Sequence, residues 1–177
     1  LALFPSTKGH ATKEKSVLLD MIQDIIDGKV EKKNEKFYLK NAQGNLEFTL
    51  LAEGYRKLGL LYSLIQNESL SSGSILFWDE PEANLNPRLA TKVVKILLEL
   101  QRMGTQVFIA THDYVMLKEL ELDADPSMDH VAYHALYLKD GNVNCQTASS
   151  LKEISHNAIN DTFDSLVIRS IGNDWED

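Results

Sequence analysis

Ile75-Leu76-Phe77-Trp78-Asp79-Glu80-Pro81-Glu82 joins a short continuous apolar run to an abrupt acidic end. Bounded by Ser72-Gly73 on one side and a proline on the other, the run predicts a strand covered on both faces, as in parallel sheets. Asp79 and Glu80 then fall at the carboxyl edge of that sheet, where open α/β folds bind ligands. Two adjacent acids can divide labour there. Asp79 can hold Mg2+, directly or through water, while Glu80 orients and deprotonates a water attacking a γ-phosphate. Taken alone, the strand end reads equally well as a solvated acidic turn.

The residues that follow remove that balance. Asn86 and Pro87 are an N-cap and first-turn proline for a helix running through Met103 and closed by Gly104. Gln106–Ala110 is a second buried strand, so strand, helix and strand form a parallel βαβ unit. That strand reaches Thr111-His112-Asp113, which brings His112 to the same carboxyl edge, able to donate to a γ-phosphate oxygen or to the attacking water. Beyond it, a short helix over Asp113–Leu122 leads into an acidic loop with Asp123, Asp125, Pro126 and Asp129. Val131–Leu138 and Val143–Thr147 flank Asp140-Gly141, a hairpin turn signal. Asn157–Ile171 has roughly helical spacing.

Working upstream, Glu53–Asn67 carries Leu58, Leu61, Tyr62 and Ile65 on one helical face. Two alternating runs, Lys36–Leu39 and Leu46–Leu50, flank the turn chemistry of Asn41–Gly44 and predict a hairpin. Val17–Ile26 recurs at helical spacing and stops at Gly28. Ser6–Lys15 reads as loop, and Leu1-Ala2-Leu3-Phe4-Pro5 as the end of a buried strand.

With 177 residues, 44% of them hydrophobic and 25% charged, the composition is that of one globular domain, 1–177, with enough chain to enclose a core. No apolar run approaches the ~20 residues of a membrane span. The single cysteine, Cys145, rules out an internal disulfide or thiolate cage and points to a reducing cytoplasm. The net charge of −8 disfavours a protein that coats nucleic acid. It is uneven: residues 1–40 hold eight Lys against six acids, and 41–177 hold ten basic residues against twenty acidic ones.

The ordered motifs resemble the second half of an ATP-binding-cassette-type nucleotide-binding domain, and most closely the AAA-type ATPases related to RecF and to the overcoming-lysogenization-defect nucleases. Leu51-Ala52-Glu53-Gly54-Tyr55-Arg56-Lys57 is similar to the signature, Ile75–Glu80 to Walker B, Ala83-Asn84-Leu85-Asn86-Pro87 to the D-loop, and Thr111-His112-Asp113 to the switch-histidine segment. The resemblance runs from about Leu51 to Asp113. It implies an α/β fold, the carboxyl-terminal half of a P-loop NTPase, with a mainly parallel sheet flanked by helices and added β-hairpins. Segments 1–50, 51–122 and 123–177 would be a helix-and-hairpin region, the motif core, and a terminal hairpin and helix.

The same resemblance implies roles. Asp79 is the Mg2+ acid, Glu80 the catalytic base and His112 the switch histidine. Ala52, Glu53, Gly54 and Arg56 close over the partner's ATP in a head-to-tail homodimer, and Asn84, Leu85 and Asn86 form the D-loop lying against the other subunit. Ala52 departs from the family's usual Ser, losing a hydroxyl contact worth ~1 kcal/mol. The chain contains no Gly-x-x-x-x-Gly-Lys-Ser/Thr: at the one Gly-Lys pair, Gly28-Lys29, Gln23 stands for the first glycine and Val30 for the hydroxyl residue. Ser6-Thr7-Lys8-Gly9 has suitable residues in the wrong order. The expectation is therefore the catalytic back half of a cytoplasmic ATPase whose Walker A lies in a missing upstream half, agreeing with a first residue that is not Met. A nuclease or DNA-associated partner enters at the level of the complex. The alternative is a non-hydrolytic regulatory module without its own P-loop. A metal-dependent nuclease using Asp79, Glu80 and Asp113 is a further, weaker reading.

Overall fold

Leu18, Ile22 and Ile26 recur at four-residue intervals and are almost wholly buried on one face of helix α1, Lys13–Ile26, the first element described in the computed structural model. The structure describes residues 13–34 and 36–173. The strand end expected at Leu1–Phe4 and the loop expected over residues 6–12 lie outside those residues. Lys13–Lys15, expected as loop, instead form the first turn of α1. Lys15 is buried and paired with Glu68 at 3.0 Å, so a polar residue at the helix start is held by a tertiary partner that local pattern cannot reveal. Contacts divide the chain into two units, one ending at Thr111 and the other beginning at His112.

In the first unit α1 is followed by strands β1 (Lys29–Lys33), β2 (Lys36–Asn41) and β3 (Gly44–Glu47), a three-stranded antiparallel sheet rather than a two-stranded hairpin. Val30 pairs with Leu39 and Leu39 with Leu46, while Lys36 and Glu47 join at 3.0 Å. Gly28-Lys29 is simply the joint between α1 and β1, with the Gly28 N–H donating to the Gln23 carbonyl at 3.2 Å. A single 3-10 turn, Phe48–Leu50, leads to helix α2, Glu53–Gln66. The ring of Phe48 lies so close to α2 that a Cβ on Gly59 would overlap it.

Strand β4 (Ile75–Asp79), helix α3 (Ala90–Arg102) and strand β5 (Gln106–Ala110) form the expected βαβ unit, the strands pairing in parallel with Phe77 opposite Phe108 and Asp79 opposite Ala110. The Asn86 side chain accepts the Arg88 N–H at 3.0 Å over a short 3-10 turn, Pro87–Leu89, that opens α3. Gly104, at φ 89°, closes it. Helix α1 packs against both α2 and α3, and the three helices bury Leu58, Ile65, Val93, Val94, Ile96 and Leu100. Each such side chain contributes about 1.5–3 kcal/mol through burial.

Two expectations are corrected. β4 is not covered on both faces: α3 packs against β5, but the opposite face of the parallel pair leaves Ile75 and Phe77 57% and 75% exposed, with Phe108 also exposed. The two phenyl rings stack there at 4.9 Å. A mainly parallel sheet is also not what the described residues hold, since β4–β5 is their one parallel pair and every other ladder is antiparallel.

The second unit contains helix α4 (Tyr114–Asp123), the hairpin of β6 (Tyr133–Lys139) and β7 (Asn142–Ala148), and helix α5 (Ala158–Asn173). Asp140 and Gly141 turn the hairpin with φ of 51° and 75°, the left-handed pair that a two-residue turn demands. Gln146 Oε1 accepts from the backbone of Ser155 and His156, fastening the segment that leads into α5. Tyr114 of α4 stacks on Phe163 of α5 with ring centroids 3.8 Å apart. Among the described residues, no helix is long and apolar enough to cross a membrane.

Candidate functional site

β4 delivers Asp79 as its last residue, exposed at the carboxyl end of the parallel pair. The chain then leaves the sheet abruptly. Glu80 has φ 45°, in the left-handed region that a β-carbon disfavours, although the following Pro81 favours an extended predecessor. A residue held this way costs about 1–3 kcal/mol and persists only where its surroundings over-determine it. Three hydrogen bonds do so here. The Glu80 N–H donates to the Ala110 carbonyl at 2.8 Å, its carbonyl accepts the Ala83 N–H at 3.1 Å, and the same carbonyl accepts the Lys57 ammonium at 3.3 Å.

The turn that begins at Glu80 closes at Asn84, which has φ 62°, a conformation Asn tolerates. Here the signature-like and D-loop-like segments meet within one chain. Asn84 Nδ2 donates to Glu53 Oε2 at 3.1 Å. Gly54 is buried beneath Leu85, leaving no room for a side chain. Gly54 thus permits a close approach, but to the 84–85 segment rather than to open solvent. Ala52 is the N-cap of α2 and supplies no side-chain hydrogen bond, as its missing hydroxyl dictates. Arg56 is exposed one turn in.

Glu82 completes the acidic cluster. Its Oε1 accepts a short hydrogen bond from the Thr111 hydroxyl, and its Oε2 is buried with no hydrogen-bond partner among the described residues. The structure therefore brings Asp79, Glu80, Glu82, Asn84 and Leu85 to one sheet edge, with Glu53, Gly54 and Lys57 packed against the turn. Asn86 is used locally as a cap. His112 belongs to the second unit, where it is exposed beside a hollow of about 330 Å³ lined by Tyr114, Ile159, Thr162, Phe163 and Leu166. Asp113 caps α4, its carboxylate accepting the Met116 N–H at 2.7 Å, so that carboxylate has a structural use.

Lys57 and Thr111 are partners of the acidic turn to which the motifs assign no role: Lys57 reaches the Glu80 carbonyl and Thr111 the Glu82 carboxylate. For Lys57 a signal was available: Glu53 and Lys57 are four residues apart and share one helix face.

Residues 8–118, more than half of the chain, match the family described as "AAA domain, putative AbiEii toxin, Type IV TA system". Nothing among curated proteins matches the chain. Solved structures similar in fold include a chain from the work entitled "Structural biochemistry of ATP-driven dimerization and DNA stimulated activation of SMC ATPases", at 14% identity and TM-score 0.52, covering 78% of this chain and 91% of that one. The Smc head domain of Pyrococcus furiosus bound to the C-terminal domain of ScpA is 12% identical with TM-score 0.56, over 79% of this chain and 35% of that one. The SMC head domain from Thermotoga maritima is 14% identical with TM-score 0.52, over 78% and 47%. The α/β fold is thus that of SMC ATPase heads, and the chain spans less than half the length of the last two.

Proposed function

Because this chain belongs to that AAA domain family of ABC/AAA-type ATPases, we propose that it is the carboxyl-terminal catalytic part of a protein that hydrolyses ATP at a head-to-tail dimer interface. The observation that carries the reading is the emergence of Asp79 and Glu80 from the end of a parallel strand, with Glu80 held in a left-handed conformation by three hydrogen bonds. Strained backbone of this kind concentrates at sites where a side chain must be aimed.

In this reading Glu80 is the general base that takes a proton from the attacking water, and His112 is the switch residue that hydrogen-bonds the γ-phosphate. Ala52, Glu53, Gly54 and Arg56 offer the start of α2 to the nucleotide of the other subunit, and Asn84–Asn86 form the subunit contact. Asp79 fits a Mg2+ ion of the kind held by one or two carboxylates together with phosphates and water: among the described residues no group of three or more ligating side chains gathers, so phosphate and water would supply the remaining oxygens. Bound there, Mg2+ would neutralise charge developing on the phosphates.

The open face of β4 and β5, with Ile75, Phe77 and Phe108, supports a further segment of the sheet domain seated on it, and we place the Walker A loop in that upstream half. The RecF-like, non-transporter branch and a cytoplasmic location are the narrower forms of the same proposal. One solved relative is described by ATP-driven dimerization and DNA-stimulated activation, and this supports a dimer here with DNA as the effector; a nuclease partner belongs to the same proposal at the level of the complex.

The test is Mg2+-dependent ATP hydrolysis by the native protein, compared with residues 1–177 alone. Turnover in the former and negligible turnover in the latter is the expected result. A native protein that never hydrolyses ATP would favour a regulatory module that keeps the fold without the chemistry.

A further inference from the structure

We infer that Lys57 is a positioning residue for Glu80, and that with Glu53 it clamps the whole 80–84 turn onto α2. This inference rests on the reading of Glu80 as the base. Glu53 and Lys57 are separated by four residues and so project from the same face of the first two turns of α2. Glu53 holds the far end of the turn through Asn84 Nδ2 at 3.1 Å, and Lys57 holds the near end through the Glu80 carbonyl at 3.3 Å. Those two ends are also the residues with left-handed φ, 45° and 62°.

Asn84 adopts that conformation readily; Glu80, before a proline, does not. The ammonium of Lys57 therefore acts where the backbone most needs support, as a charge-assisted donor to a carbonyl that already accepts the Ala83 N–H. Burial of Gly54 under Leu85 fixes the distance between helix and turn. A displacement or rotation of α2 would then be felt at the Glu80 peptide, giving the helix that carries Ala52–Gly54 a direct hold on the direction of the Glu80 carboxylate.

The experiment compares Lys57→Met and Lys57→Arg with the wild type, using Lys95→Met as an exposed control on α3. In the native protein Lys57→Met should lower kcat by about tenfold or more while the KM for ATP moves by less than about threefold, and Lys57→Arg should recover most of the loss. In parallel, the backbone Cα and Cβ chemical shifts of Glu80 should leave their left-handed values in Lys57→Met and keep them in Lys57→Arg. If Lys57→Met fails to fold, the Nζ resonance of Lys57 in the wild type still decides the matter: hydrogens slow to exchange support the bond, and fully solvent-like exchange overturns it. Unchanged Glu80 shifts with unchanged kcat would overturn the inference. Altered shifts in a protein without ATPase activity would support the clamp and instead contradict the assignment of Glu80 as a base.

Discussion

Gly54 and Leu85 touch so closely that a β-carbon added to Gly54 would lie 2.5 Å from Leu85 Cδ2 and 2.7 Å from the Asn84 carbonyl oxygen. The first turn of α2 and the 80–84 turn are therefore one packed unit. Gly54→Ala should cost about 1–3 kcal/mol, the usual penalty for overfilling a closed contact, because the carbonyl cannot swing aside as a side chain could. Chemical denaturation of the wild type and variant measures this. A loss below a few tenths of a kcal/mol would show that the turn is free to move.

The other end of the same helix start is under-used. Ala52 caps α2 without a side-chain acceptor, so Ala52→Ser should stabilise the protein by about 1 kcal/mol, within the usual 0.5–2 for such caps. Thermal unfolding at a fixed protein concentration checks the sign. A lower Tm would mean that the hydroxyl finds no N–H to accept from.

These two positions show what the sequence made legible and what it did not. The βαβ unit could be read because both strands are short apolar runs with unambiguous ends, and because Asn86, Pro87 and Gly104 punctuate the helix between them. The meeting of Glu53–Gly54 with Asn84–Leu85 could not be read, since it joins segments about thirty residues apart through a hydrogen bond and a missing side chain. Strand β1 was invisible for a different reason. Lys29-Val30-Glu31-Lys32-Lys33 has one apolar residue, and its pairing depends on Val30 opposite Leu39 and on Glu31 bridging to Lys33 and Lys40. The open face of β4 was misread because Ile-Leu-Phe-Trp looks the same whether one face or two are covered.

That face gives a differential prediction. Phe77 is 75% exposed and stacks only on Phe108 among aromatic rings of the described residues, so in residues 1–177 alone Phe77→Ala should cost about 1 kcal/mol, the worth of an aromatic pair. Where the proposed further segment covers the face in the native protein, the same change should cost about 3–5 kcal/mol, as for a core phenylalanine. Equal losses in the two would count against a covering segment.

Two phenols, Tyr62 and Tyr133, are raised by burial and so contribute to alkaline sensitivity, and the first can be tested by itself. Burial, and secondarily the Asp20 carboxylate, raise the phenol of Tyr62 above its ordinary value of 10.0. The folded state thus holds the Tyr62 proton more tightly than the unfolded chain. Its contribution is fully present below about pH 10 and is lost as pH rises through the higher folded value. Tyr62→Phe cannot ionise, so its Tm should fall less steeply above pH 10 than that of the wild type. Parallel curves would show that Tyr62 is not one of the groups responsible.

The most direct test of the central claim is ATP turnover by Glu80→Gln in the native protein, measured beside ATP binding. The amide keeps the size and neighbours of Glu80 but cannot accept the proton of the attacking water. Binding should persist, the closed dimer should accumulate, and hydrolysis should fall by about a hundredfold or more, the scale of a general base. Hydrolysis at the wild-type rate would contradict the assignment of Glu80 and, with it, the account of this site.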